Sequence, residues 1–208
     1  MRAPLFTLIT ATDVVPEPEL LARLAALAAL PPEARARVAV QLRDPELSSG
    51  PLLALGRRLR EATAAIGAAL VLNDRIDLAI LLGADGVHLG RRSVAIADAR
   101  ALIGDRVFIS VACHDLDDVA RAAATGADAA VLSPIFATPG KGPPLGPGAI
   151  IKARTCLGVA GRPAALIALG GIDACSAPAC LAAGADGVAA IRADPAAVIA
   201  ALTPAREP

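Results

Sequence analysis

Apolar residues along this chain come in short unbroken runs rather than in alternation. The runs fall at 5–9, 38–41, 69–72, 86–89, 108–112, 129–132, 165–169 and 187–190, eight in all. A strand covered on both faces reads this way, because neither face meets water. Between the runs lie Ala- and Leu-rich stretches with helical character, near 17–30, 51–66, 75–82, 94–103, 115–125, 147–157, 174–183 and 195–202. Eight strand–helix units in 208 residues predict an α/β fold, a single (β/α)8 TIM barrel over 1–208 with its core at about 5–202. The alternative is a doubly wound open sheet, but its strand–Gly-x-Gly-x-x-Gly–helix opening is absent from the chain.

An internal echo supports the barrel. Gly83-Ala84-Asp85-Gly86-Val87, Gly126-Ala127-Asp128-Ala129-Ala130 and Gly184-Ala185-Asp186-Gly187-Val188 each follow a helical stretch and enter a strand. Such turns lie on the stability face of a barrel, so their aspartates are expected to be structural.

Composition then narrows the class. With 55% hydrophobic residues, the chain can bury a sizeable core. A net charge of +0 and 1% aromatics argue against nucleic acid and against an anionic membrane as partner. No apolar run reaches the roughly 18–20 residues of a membrane helix, and the start is too short in its apolar part for a secretory signal, so the expected location is cytoplasmic. Cys113, Cys156, Cys175 and Cys180 show no C-x-x-C spacing and are read as thiols in a reducing compartment.

A barrel carries its site at the C-terminal ends of its strands. Those ends hold Gln41, Arg43 and Asp44, then Asn73, Asp74 and Arg75, then His88 with Arg91 and Arg92. Further on come His114 with Asp115, then Ser133 leading to Thr138 and Lys141, then Gly170-Gly171, and last Ile191 and Arg192. Lys141 is one of two lysines against eighteen arginines. Gly170-Gly171 lets an oxyanion approach backbone N–H groups. A helix beginning within 191–195 would add free N–H groups, and together the two form a phosphate cup. Asp74 can hold Mg2+, while Gln41 and Arg43 can hold a diphosphate; alternatively Asp74 pairs with Arg75 or Arg43 and caps the next helix. His88 and His114 have the proton affinity for acid–base work near neutral pH. The 138–142 segment reads as a lid or as a solvated turn.

These segments resemble the thiamine phosphate synthase/TenI family. The resemblance is carried by Gln41-Leu42-Arg43, by Val71-Leu72-Asn73-Asp74-Arg75 followed by Gly86-Val87-His88-Leu89-Gly90, and by Ser133-Pro134-Ile135-Phe136-Ala137-Thr138-Pro139-Gly140-Lys141. Ala168-Leu169-Gly170-Gly171-Ile172 completes it, in order over about 5–200. It implies an enzyme of thiamine biosynthesis that couples hydroxymethylpyrimidine diphosphate to thiazole phosphate and releases diphosphate. It further implies that Gln41, Arg43 and Asn73 hold the diphosphate substrate, with His88 beside them. Asp74 would bind Mg2+, and Lys141 and Thr138 would close on the substrate. Gly170, Gly171, Ile191 and Arg192 would hold the thiazole phosphate. Phosphate and diphosphate small molecules are the implied partners, together with self-association into a homo-oligomer.

The chain departs from the family pattern. Pro45 stands where a lysine is expected, and Ser93 where a second Mg2+ aspartate is expected. Ala112, Gly140 and Arg192 replace a serine, a threonine and a serine. Two alternatives follow. A TenI-type thiazole tautomerase needs neither Mg2+ nor diphosphate and would use His114. A barrel without catalysis would bind thiazole phosphate alone.

Overall fold

The computed structural model describes residues 1–159 and 164–203. In chain order the elements are β1 (Phe6–Ile9), α1 (Glu17–Ala26), α2 (Pro32–Arg35), β2 (Val38–Leu42), α3 (Ser49–Ile66), β3 (Ala69–Asn73) and α4 (Ile76–Leu82). Then follow β4 (Gly86–Leu89), α5 (Ile96–Ile103), β5 (Phe108–Cys113), α6 (Leu116–Ala124), β6 (Ala129–Leu132) and α7 (Pro147–Val159). The last are β7 (Ala165–Leu169), α8 (Ala177–Ala182), β8 (Gly187–Ala190) and α9 (Pro195–Leu202). Each strand runs parallel to the next, and β8 pairs with β1 through Phe6↔Val188 to close the ring. The structure is therefore the eight-stranded (β/α)8 barrel that the apolar runs predict, and the open-sheet alternative is excluded.

The helix expected near 17–30 is divided. α1 ends at Ala26, a 3-10 turn spans Leu27–Ala29, and α2 starts afresh at Pro32. Proline fits the first turn of a helix but not its interior, so Pro31-Pro32 stops one helix and opens another.

Two separate apolar clusters explain the unbroken strand patterns. Inside the ring lie Ile9, Phe108, Ala129, Val131, Ile167 and Ala189. Outside it, residues such as Leu8, Val40, Leu70, Ile109, Leu166 and Val188 pack with helix residues Leu24, Leu59, Leu78, Val119 and Val198. Each fully buried Leu, Ile or Val contributes roughly 1.5–3 kcal/mol relative to exposure.

The repeated aspartates form the floor. The Asp85 carboxylate accepts from Leu70 N at 2.8 Å, while Asp85 N donates to Leu70 O at 2.8 Å. Asp128 makes the same exchange with Ile109, and Asp186 with Leu166. An arginine from the helix before the bonded strand completes each unit: Arg60 on Asp85, Arg100 on Asp128 and Arg154 on Asp186. The structural reading of these turns holds.

Candidate active site

The opposite end of the ring opens into a cavity of about 500 Å³. That is room for a ligand of cofactor-fragment size. It is lined by every residue singled out from the strand ends for binding or chemistry: Gln41, Arg43, Asn73, Asp74, His88, His114, Thr138, Lys141, Gly170, Gly171, Ile191 and Arg192. The strand register brings them together. Asn73 pairs with His88, and His88 with Ser110, so neighbouring strands present these side chains at one level.

A hydrogen-bonded chain crosses β2, β3 and the loop after β4. Gln41 Nε2 donates to Asn73 Oδ1 at 3.1 Å, and Asn73 Nδ2 donates to Asp74 Oδ2 at 3.1 Å. The Ser93 hydroxyl donates to Asp74 Oδ1 and accepts from Gly90 N at 2.6 Å. Asp74 itself has φ 60 and donates its N–H to His88 O at 2.9 Å. Aspartate tolerates this left-handed conformation better than most residues. The turn holds the carboxylate at the cavity rim. The alternative ion pairs do not form among the described residues: Arg75 turns away to Asp77 at 2.6 Å.

The surroundings of Asp74 decide what metal it fits. No cluster of three or more His, Cys, Asp or Glu side chains occurs among the described residues, which disfavours an all-protein cage. One carboxylate with oxygen neighbours at an open rim does suit Mg2+, which keeps waters and shares substrate phosphate oxygens. Asp44, though at a strand end, is not part of the site. It is buried, and accepts from Thr10 Oγ1 at 2.6 Å and from Thr12 N at 2.6 Å, fixing the loop after β1.

The two histidines have different characters. His88 is buried, with Nδ1 2.9 Å from Ser110 Oγ. Burial pushes its pKa down to about 4, opposed by the Asp74 charge and helped by that of Arg43. His88 is thus a neutral hydrogen-bonding group at pH 7. His114 is exposed at the mouth, and its Nδ1 lies 3.2 Å from Ser133 O. Its backbone N–H donates to Asp118 Oδ2 at 2.9 Å.

The Gly170-Gly171 turn has a steric cause beyond anion access. A Cβ on Gly170 would lie 2.8 Å from Pro134 Cα, and one on Gly171 would lie 2.6 Å from Ala137 O. Both glycines also have positive φ, 104 and 63. The loop after β6 lies directly on them, through Ile135 N to Leu169 O and Phe136 N to Gly170 O, both 2.9 Å. That loop carries Thr138, whose hydroxyl donates to Phe136 O at 2.9 Å, and Lys141, which is exposed.

The last helix begins where the chain predicts, within 191–195, but its end is not free. α9 starts at Pro195, which has no N–H, and Asp194 caps it by accepting from Ala197 N at 3.1 Å. A carboxylate already occupies the helix end where an anion was expected. The N–H groups of Gly171, Ile191 and Arg192 nevertheless donate to no protein acceptor among the described residues. These loop amides, and not the helix end, are the backbone donors left open at this part of the mouth.

Reading the strand ends missed one partner of the site residues. Ser110 sits inside β5, below the cavity lining, and only the inward alternation Phe108, Ser110, Ala112 marks it as facing His88. Arg91 and Arg92, named at the end of the fourth strand, both line the cavity.

The chain matches the family model for Thiamine monophosphate synthase over residues 7–193. It is similar to a thiamine-phosphate synthase of Methanoculleus marisnigri, 41% identical over 157 residues that cover 74% of this chain and 72% of that protein. It is likewise similar to one of Albidiferax ferrireducens, 40% identical over 169 residues that cover 81% and 73%. Among solved structures it resembles a thiamine phosphate pyrophosphorylase from Pyrococcus furiosus, with TM-score 0.72, 26% identity, and coverage of 89% of this chain and 84% of that one. A closed barrel, its open mouth and these likenesses agree: the chain belongs to the thiamine monophosphate synthase family.

Proposed function

We propose that this chain is a thiamine-phosphate synthase, joining hydroxymethylpyrimidine diphosphate to thiazole phosphate. In that reaction the bond from the pyrimidine methylene carbon to the diphosphate oxygen breaks. The thiazole ring nitrogen bonds to the same carbon, and diphosphate leaves with the electron pair. Leaving-group charge is the obstacle, so preorganised positive groups are the main aid. The observation that carries the reading is the charge of the mouth. Arg43, Arg91, Arg92, Lys141 and Arg192 line it against a single carboxylate, Asp74, in a chain of net charge +0.

Gln41, Asn73 and Arg43 are assigned to the diphosphate substrate, with His88 as a neutral donor or acceptor beneath them. Lys141 and Thr138 approach from the loop after β6. Gly170, Gly171, Ile191 and Arg192 offer backbone N–H groups to the thiazole phosphate. Asp74, with the Ser93 hydroxyl beside it, would hold Mg2+, which when bound neutralises charge on the diphosphate. Ile9, Leu169, Ile172 and Ala190 give the cavity apolar walls that shelter a reactive pyrimidine carbon from water.

One observation favours a second reading. His114 keeps a free ring nitrogen at the mouth, as a thiazole tautomerase would need. Incubating purified protein with both precursors, with and without Mg2+, separates the two. Thiamine phosphate and diphosphate as products support the synthase. Metal-independent isomerisation of a carboxythiazole phosphate without coupling supports the tautomerase. No turnover of either set leaves a binding protein.

A further inference from the structure

The mouth carries more positive charge than one carboxylate-bound metal site needs, and two of its cations stand on the loop that also locks that carboxylate. Arg91 and Arg92 follow Gly90 directly and precede Ser93, whose hydroxyl is bonded to Asp74. Both arginines line the cavity. Asp74 is already engaged by Ser93 and Asn73, and it faces five cationic side chains in the same cavity. A divalent cation entering alone meets net positive charge. A diphosphate entering alone meets net negative charge nowhere except at Asp74. Simple electrostatics therefore orders the events, with the polyanion first.

Arg91 is built for exchange. Its guanidinium lies 3.4 Å from Asp118 Oδ2 and 3.8 Å from Asp115 Oδ2, both long for an ion pair, and its side chain is 63% exposed. Asp118 does not depend on it. That carboxylate also accepts from His114 N and is paired with Arg121. Arg91 can leave for a stronger anion without stranding a buried charge. Guanidinium suits the task, because its fork binds two phosphate oxygens at once.

We propose that Arg91 and Arg92 are binding residues for the diphosphate group, and that they let this mouth take up diphosphate before and without a divalent cation. The proposal deepens the synthase reading and assigns its diphosphate subsite a metal-independent part. Arg91 gives up its contact with Asp118 and Asp115, and Arg92 closes from the neighbouring position. The loop after β4 thus meets the diphosphate beside Asp74, while Lys141 comes from the loop after β6.

The test is calorimetric titration of the purified protein with inorganic diphosphate, once in EDTA and once in excess Mg2+. The wild type is expected to bind in both, with EDTA weakening binding only slightly. Arg91→Ala and Arg92→Ala are each expected to weaken binding in EDTA by about tenfold or more, the range for a lost charge-assisted hydrogen bond. Arg57→Ala, an exposed position on α3 outside the cavity, serves as the charge control and is expected to bind as wild type. Unchanged thermal melting of each variant shows that the loop substitutions leave the fold intact. Binding that appears only with Mg2+, or equal affinity in Arg91→Ala, Arg92→Ala and wild type, overturns the proposal. The assay for thiamine phosphate is read separately. Product formation without metal-free diphosphate binding removes the arginine role and leaves the synthase. Metal-free binding without product removes the synthase and leaves the anion site.

Discussion

The Nδ1 nitrogen of His114 lies 3.2 Å from the carbonyl oxygen of Ser133. A carbonyl only accepts, so Nδ1 is the donor in this bond, and Nε2 makes no hydrogen bond among the described residues. The bond joins the end of β5 to the end of β6 and holds the ring at the mouth. In the tautomerase reading, replacing His114 by Ala is expected to lower kcat for isomerisation of a carboxythiazole phosphate by roughly 100-fold, the lower range for loss of a general acid or base, with KM little changed. Steady-state kinetics of His114→Ala checks it, and an unaltered kcat removes His114 from the chemistry.

Asp74 combines an unusual backbone with a carboxylate, and the two are separable. Asp74→Asn keeps a residue that tolerates φ 60 and loses only the charge. It is expected to melt like the wild type and to show a much higher Mg2+ requirement. Asp74→Ala is expected to lose the same activity and in addition about 1–2 kcal/mol of stability from the left-handed backbone. Thermal melts beside Mg2+ titrations of turnover distinguish them. If both variants keep wild-type Mg2+ dependence, Asp74 is not the metal residue.

Gly171→Ala is expected to destabilise the protein by about 2–4 kcal/mol, because the new Cβ meets Ala137 O and φ is positive. The loop after β6 must lift, taking Thr138 and Lys141 with it. KM for thiazole phosphate should rise in step. Urea unfolding and substrate kinetics on one preparation test this, and a variant with wild-type stability and KM would show that the loop has slack.

His88 makes stability depend on pH. Its folded pKa of about 4 lies below the ordinary value of 6.5. Between those values the unfolded chain binds the extra proton, so stability rises with pH there. The contribution is full above pH 6.5 and is lost as pH falls towards 4, amounting to on the order of 3 kcal/mol. Urea midpoints at pH 7 and pH 5 should differ more in the wild type than in His88→Gln. Equal pH slopes in both proteins would assign the effect elsewhere.

Much of this was legible in the chain because burial leaves a plain trace. β4, β6, β7 and β8 have the bounds that their apolar runs mark; β2, β3 and β5 run one residue further, to Leu42, Asn73 and Cys113, and β1 starts one residue later. The strand ends named the lining of the mouth because a closed parallel ring sends all of them one way. Side-chain direction was harder to read. Asp44 and Arg43 are neighbours, yet only Arg43 faces the cavity, since Thr10 and Thr12 draw Asp44 to the β1 loop. α9 starts at Pro195 as its stretch marks, but the Asp194 cap that closes its end to an anion is a side-chain hydrogen bond to Ala197 N that the order of residue types does not reveal. The Gly170-Gly171 pair was visible, but the reason for it is the loop after β6, which arrives from more than thirty residues earlier in the chain.

The floor of the ring has a consequence for how such a protein can change. Asp85 ties β3 to β4, Asp128 ties β5 to β6, and Asp186 ties β7 to β8, while Arg37 O receives Leu5 N and so ties β1 to β2. The ring is thus laid as four tiles of two strands, each sealed along its lower edge by its own fastening. Substitutions on the upper edge, such as Ser93 or Pro45, leave every fastening untouched. A lineage can therefore rewrite the chemistry of one tile at a time while the masonry beneath it stays in place.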